Sequence, residues 1–413
     1  MTTPTAPKPR HAEAALRLIP GVLTAGVVAV VAVAAAEYLG TRVLGFEDSP
    51  VSAVMVALLL GIAIGNTREL PKGLQSGLAF SMKRVLRIGV VLLGIRISVG
   101  EVVRVGALAL PLVTVCVVCA LVIVRLLSNR FGVAQKLGTL IAVGTSICGV
   151  SAIVAAAPTI GAEEEDTSYA ISTITIFGML ALLLYPFLAH TVFGGMDTAI
   201  GYFLGTAVHD TSQVAGAALL YSEVYSAPDV IDVATVTKLL RNSLMALVIP
   251  VIAIQHREAA AAGEAGAAGE AGDAGNAGSV ADAGGPGIPN GTRVAKVTWP
   301  PGWTWVGRYI PLFVVGFVLM SVLRTVGDVS LWASGRALWV LSAEHWSAAV
   351  AGLSQAAVYA LVVALAAVGA RTRLKRLLRL GVRPFLVGLA AAVTVGVIST
   401  GLIFAAQAMI EGL

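Results

Sequence analysis

Gly144-Thr145-Ser146-Ile147-Cys148-Gly149-Val150-Ser151 and Gly205-Thr206-Ala207-Val208-His209-Asp210-Thr211-Ser212-Gln213 are polar, glycine-bearing stretches set inside apolar segments. Lipid tolerates unwound backbone and ionisable side chains only where protein or a water-filled cavity shields them. A matched pair of interrupted hydrophobic segments is therefore the best sequence pointer to a transporter's substrate site.

The rest of the chain supports that setting. Of its 413 residues 57% are hydrophobic and 12% charged, about half the charged share of an ordinary soluble domain. Apolar runs long enough to cross a ~30 Å hydrocarbon core recur from end to end. Spans are expected near 18–38, 51–66, 85–99, 104–127, 137–158, 168–190, 198–222, 233–255, 306–325, 346–369 and 383–410. The fold class is thus an all-α polytopic membrane protein. Around the spans we expect a tail over 1–17, a membrane part over 18–256 and a second over 298–413. Between them, 257–297 is almost wholly Ala, Gly and small polar residues and reads as a disordered linker.

Lys and Arg cluster in the tail, the 67–87 loop, the 125–136 loop and the 371–383 loop, whereas the 37–50 loop is net acidic. This places the amino end in the cytoplasm and the carboxyl end outside. The net charge of +5 is accounted for by these loops and is no nucleic-acid signal. Cys116, Cys119 and Cys148 all lie in apolar segments and read as buried thiols. The five histidines show no metal-ligand spacing, and neither a phosphate-binding glycine loop nor a His-Glu-x-x-His motif occurs. No cofactor is expected.

The sequence repeats itself twice. Gly94, Arg96 and Gly106 recur in register as Gly369, Arg371 and Gly381, in connections that loop charge puts on opposite sides. Gly144-Thr145 and Ser151 align with Gly205-Thr206 and Ser212, each followed by a similar helix, Ala170 to Pro186 and Ala234 to Pro250. Opposed copies are the mark of an inverted-repeat secondary-transporter fold. If the interrupted segments cross fully there are eleven spans; if each dips in and returns as a re-entrant hairpin, nine remain.

Gly144, Thr145, Ser146, Cys148, Gly149 and Ser151 suggest a helix start at membrane depth, where free N–H groups and hydroxyls suit an oxyanion. The plainer alternative is that small residues allow close helix crossing and hydroxyls bond back to their own helix. His209 and Asp210 are sharper, because a charge at the bilayer midplane costs about 2.5–3.5 kcal/mol. An adjacent imidazole and carboxylate suit proton coupling, with Thr206 and Gln213 nearby. Lys238, Arg241 and Asn242 follow, Lys238 and Arg241 on one helix face; either snorkels to headgroups or meets an anion, which Arg241 would grip bidentately. Arg96 and Arg371 read as loop anchors, Glu163 to Asp166 as a solvated helix start, and Trp299, Trp303, Trp305 and Trp346 as interfacial belt residues.

Leu92-Leu93-Gly94-Ile95-Arg96, Gly144 to Ile153, Ala157-Pro158, His209-Asp210 with Gln213-Val214, and Ala234 to Leu239 together resemble the bacterial YeiH-type family of proposed sulfate exporters. The resemblance runs from about residue 50 to the carboxyl end, outside the linker, which departs from the compact family pattern. It implies an inner-membrane carrier of ten to eleven helices, distantly akin to cation/proton antiporters and bile-acid-type carriers.

The expected function is a secondary transporter that exports a small inorganic or organosulfur anion (sulfate, sulfite or sulfonate class) by alternating access. Thr145, Ser146 and Ser151 would hold the anion, Lys238 or Arg241 would balance it, and His209 with Asp210 would carry a proton. The lipid bilayer is its setting and a homodimer is expected by analogy. Two rivals stay open: a Na⁺-coupled organic-anion or cation carrier centred on Asp210, and an intramembrane hydrolase with His209 as base and Cys148 or Ser151 as nucleophile.

Overall fold

The computed structural model describes residues 16–45, 49, 51–67, 70–256, 311–373 and 382–410. The 257–297 linker, Trp299, Trp303, Trp305, most of the tail and most of the 371–383 loop lie outside them. Every named element is a helix. In chain order they are α1 (Ile19–Glu37), α2 (Ala53–Thr67), a compound helix α3 over 72–96, α4 (Val99–Arg130), α5 (Gln135–Ser146) and α6 (Val150–Ala156). There follow α7 (Glu164–Phe193), α8 (Asp197–Ala207), α9 (Thr211–Tyr225), α10 (Asp229–Ser243), α11 (Leu312–Ser334), α12 (Ala343–Arg371) and α13 (Val382–Ala405).

Local sequence sets several of these limits. Ser98 caps α4 and closes a capping box with Glu101, satisfying donors that would otherwise be orphaned in lipid. Glu164, Glu165 and Asp166 occupy the first turn of α7, and left-handed Gly194 ends it. The basic stretch expected as a 67–87 loop is different: from Lys72 onward it is helical, with a π-helical stretch over Ser81–Val85. Lys83 and Arg84 sit in that stretch, which the hydropathy of a short window cannot reveal.

Among the described residues, seven helices are long and apolar enough to cross a membrane, one of them Asp229–His256, which extends α10. The two remaining crossings are settled by their ends. Ser76, in the first turns of α3, bonds Arg17 O at 2.9 Å, while Arg96 at its other end bonds Asp232 Oδ1 at 3.0 Å. Ser52 before α2 bonds Glu223 at the end of α9, and Asn66 in the last turn of α2 bonds Thr372 O past α12. Nine elements therefore traverse the bundle among the described residues. We call the end where α1 begins the near end, and the opposite one the far end.

The interrupted segments do not cross. Lys136 Nζ, in the first turn of α5, donates to Gly161 O at 2.7 Å, beyond the end of α6. A chain that kept its direction over 26 residues would put these groups more than 30 Å apart, at about 1.5 Å per helical residue. Residues 135–161 are hence a hairpin entering from the near end. The second segment mirrors it. His190, near the end of α7, bonds Tyr221 OH at 2.9 Å and stacks on Tyr225, both at the end of α9. Since α8 starts four residues after α7 ends, residues 197–225 enter and leave at the far end. Of the two alternatives left open by loop charge, opposed re-entry with nine spans is the one realised.

The repeat is spatial as well as sequential. Helix α4 packs on α5 and α10, α13 packs on α8 and α7, and α4 packs on α13. Each hairpin thus has its own outer helix, although α13 comes last in the chain. Thr145 and Thr206 both lie in the last turn of an entering arm, and Ser151 and Ser212 are both second residues of a returning arm. Gly94–Arg96 sits at the far end and Gly369 with Arg371 at the near end, as inversion requires. Helices α1, α2, α3, α11 and α12 pack together as a second body, joined to the hairpin body mainly along α9.

Trp346 is no belt residue. It is 5% exposed, its ring fills the notch left by Gly327, and its Nε1 donates to Asp328 Oδ1 at 2.8 Å.

Candidate functional site

The hairpin tips, residues 147–149 and 208–210, meet in mid-bundle. Gly149 has φ +65°, a conformation suited to glycine, and a Cβ built there would lie 3.1 Å from Asp210 Oδ2. Each entering arm ends here with its carbonyl groups unsatisfied by its own helix. In lipid such groups need partners, and their dipoles leave about half a negative charge at each end.

Helix α10 supplies the partners. Lys238 and Arg241, both 1% exposed, project between the tips from one face. Lys238 Nζ donates to Ile147 O and Val208 O at 3.0 Å each and also to His209 O. Arg241 donates through Nε to Ser146 O at 2.7 Å, through Nη1 to Thr206 O at 2.7 Å and Val208 O at 3.0 Å, and through Nη2 to Thr145 O. For α5 the accounting is complete, because Val143 O and Gly144 O accept from Ile147 N and Gly149 N. Two buried cations therefore balance two helix C-termini.

This changes the local geometry expected from sequence. Thr145 and Ser146 belong to a helix C-terminus, not to the start of one. Lys238 has spent all three of its donors on carbonyls, and the Arg241 fork is occupied by four bonds to the main chain rather than held open for an anion. The i,i+3 pair of cations in an apolar helix was visible; that two C-termini would point at it was not, because re-entry reverses which helix ends face the middle.

Other expected residues divide clearly. Thr145, Ser146, Cys148, Gly149, Thr206, His209, Asp210, Lys238, Arg241 and Asn242 gather around the tips. Ser151 is exposed and stays outside the buried group. Ser146 Oγ bonds back to Ala142 O, and Cys148 Sγ lies 3.8 Å from Met245 Sδ. Gln213 turns away, accepting from Asp210 N and donating to Thr175 O, in a space that a Cβ on Gly178 would fill. Gly144 closes on its own return arm, where a Cβ would come within 2.7 Å of Ile153.

Asp210 caps α9: its Oδ1 accepts from Ser212 N at 2.9 Å and Ser212 Oγ at 2.6 Å. It is half-buried, at the edge of an otherwise closed junction. Asn242 Nδ2 donates to Thr211 Oγ1 at 3.0 Å. Against this satisfied frame, Thr145 Oγ1, both ring nitrogens of His209 and Asn242 Oδ1 are buried without a hydrogen-bond partner among the described residues. Such atoms cost about 1–3 kcal/mol each when left dry.

Sequence reading missed four participants. Cys116 Sγ lies 3.9 Å from Thr206 O, and Ser399 on α13 shares a hydrogen bond with Thr206 Oγ1. At the far end, Arg96, read as a loop anchor, pairs with Asp232, and Glu223 accepts from Ser52. The two acidic partners sit in helices with no apolar period to mark them out. No group of three or more metal-ligating residues occurs among the described residues.

The family profile described as Conserved hypothetical protein 698 matches residues 21–268 and 304–388. The chain belongs to this family, the YeiH-type membrane proteins. A family member from Agrobacterium fabrum, a UPF0324 membrane protein, is 29% identical over 392 residues, covering 95% of this chain and 94% of its own. The UPF0324 membrane protein of Streptococcus agalactiae serotype V is 29% identical over 359 residues, 87% of this chain and 91% of its own. That of Streptococcus pneumoniae serotype 4 reaches 38% over 194 residues, 47% of this chain and 56% of its own. The family match includes both hairpins, α10 and most of the second body, so the tip junction lies within the matched residues.

Proposed function

We propose that this protein is a secondary transporter that carries a small sulfate-like anion, inorganic or organosulfur, by alternating access. One observation carries the reading: opposed re-entrant tips meet at two buried cations beside unpartnered polar groups. The two C-terminal and two N-terminal half-helix ends roughly cancel. What remains is Lys238 and Arg241 against Asp210, one net positive charge in a low-dielectric setting that attracts an anion. The cations act through their field, while Thr145, His209 and Asn242 offer the contacts.

Asp210 with His209 would carry the coupled proton, since Asp210 is the carboxylate on the open edge. The second body would be the frame against which the hairpin body moves. Loop charge supports a cytoplasmic near end; the bacterial relatives support a bacterial inner membrane, and export is part of the proposal. The enzyme alternative finds no support at its own residues: neither ring nitrogen of His209 has a hydrogen-bond partner among the described residues, and Cys148 Sγ lies against Met245 Sδ at 3.8 Å.

Proteoliposomes test the proposal. Saturable oxyanion flux that responds to an imposed pH gradient is expected, with Asp210→Asn uncoupling the gradient. Flux that follows sodium at fixed pH would favour the sodium-coupled rival, and the absence of any saturable anion flux would end the reading.

A further inference from the structure

Resting on the anion-carrier reading but narrowing its cargo away from sulfate itself, we infer that the junction selects an oxyanion carrying its own hydrogen-bond donor, a hydroxyl-bearing anion of the hydrogen phosphate, dihydrogen phosphate or bicarbonate kind, over fully deprotonated sulfate. The argument is a donor–acceptor balance. Asn242 is 1% exposed, and its Nδ2 bond to Thr211 fixes the amide against the first residue of α9. Its Oδ1 is therefore a buried, unpartnered acceptor at that helix start. Asp210, the residue before Thr211, uses Oδ1 to cap Ser212, and Oδ2 is the atom turned toward Gly149. The amide oxygen of Asn242 only accepts, and so does Asp210 in its ionised state, the state that binds the anion.

Donors are present too. The Thr145 hydroxyl is unpartnered, and a neutral His209 ring has one N–H and one bare nitrogen, both unused. A ligand that satisfies this set must accept from Thr145 and His209 and give to Asp210 or Asn242. Sulfate has four acceptor oxygens and no hydrogen. Placed here it would meet a carboxylate and an amide oxygen with nothing to offer either, leaving the buried Asn242 oxygen unpaired. Hydrogen phosphate and dihydrogen phosphate have nearly the same size and shape and keep at least one O–H at neutral pH. A site built around a substrate hydroxyl discriminates strongly against an analogue that lacks it.

Titration calorimetry on the full-length protein in detergent at pH 7, with inorganic phosphate and sulfate at equal ionic strength, tests this directly. Phosphate is expected to bind at least about tenfold more tightly than sulfate. Bicarbonate as a third probe separates the planar from the tetrahedral member of the class. Asp210→Asn keeps a good helix cap and adds a donor, so it is expected to shrink the phosphate-to-sulfate ratio by about tenfold. Sulfate binding as well as phosphate in the wild type, or an unchanged ratio in a folded Asp210→Asn protein, overturns the donor requirement while leaving an anion carrier standing. Binding of none of these oxyanions overturns both. The wild-type ratio decides the matter even if the variant fails to fold.

Discussion

Lys136 and Gly161, 25 residues apart, are joined by a 2.7 Å hydrogen bond at the near end of the molecule. That bond makes the first interrupted segment a hairpin, and the His190–Tyr221 bond does the same for the second at the far end. Single cysteines at 136 and 161 are therefore expected to react with impermeant thiol reagents from one side of the membrane. Cysteines at 197 and 225 should react from the other. Labelling of 136 and 161 from opposite sides would remove re-entry.

Lys238→Met should be severe. Ile147 O and His209 O lose their donor, each at about 1–3 kcal/mol. Arg241→Met strips Thr145 O, Ser146 O and Thr206 O and should cost about 3 kcal/mol or more. Arg241→Lys, which keeps the charge but not the fork, should fall between Met and the wild type. Thermal unfolding in detergent measures all three. A neutral Arg241→Met would mean the carbonyls have other partners.

Gly149→Ala places a side chain at φ +65° and 3.1 Å from Asp210 Oδ2. Backbone strain of about 1–3 kcal/mol is expected, together with displacement of the Asp210 carboxylate. Transport should fall further than stability does, measured as initial flux per folded protein against melting temperature. Equal, small losses in both would show that the tips do not need their close approach.

At the far end the Arg96–Asp232 pair ties α3 to α10, and thus one body to the other, with side chains 18% and 15% exposed. Arg96→Ala should cost about 1–3 kcal/mol. A cysteine at 211, on the half-buried edge of the junction, should then be labelled faster from the far end. Unchanged labelling would make the pair a simple anchor, with no part in access.

Much of this was legible in the residues. The alignment of Gly144-Thr145 with Gly205-Thr206 located both tips, because glycine and hydroxyl residues at membrane depth stand out against apolar neighbours. The Gly94 and Gly369 motifs signalled inversion. What could not be read was direction. Hydropathy over residues 137–158 is the same whether the chain crosses or turns back, and loop charge agrees with both. Reading Thr145 as a helix start followed from that ambiguity, and so did treating Arg241 as a free fork. Trp346 failed for a different reason: its partners, Asp328 and Gly327, lie across a turn and on another helix, beyond the reach of a local pattern.

The bonds from Arg241 to Thr145 and Ser146 span 96 and 95 residues, which has a consequence for biosynthesis. At ~5–20 residues per second, the first hairpin leaves the ribosome roughly 5–20 s before the side chains that neutralise its tip. Until then it has no electrostatic reason to stay immersed. Nascent chains halted before residue 238 should accordingly leave this loop in the translocon or on the membrane surface, and its burial should be a late, all-at-once event that coincides with the arrival of α10.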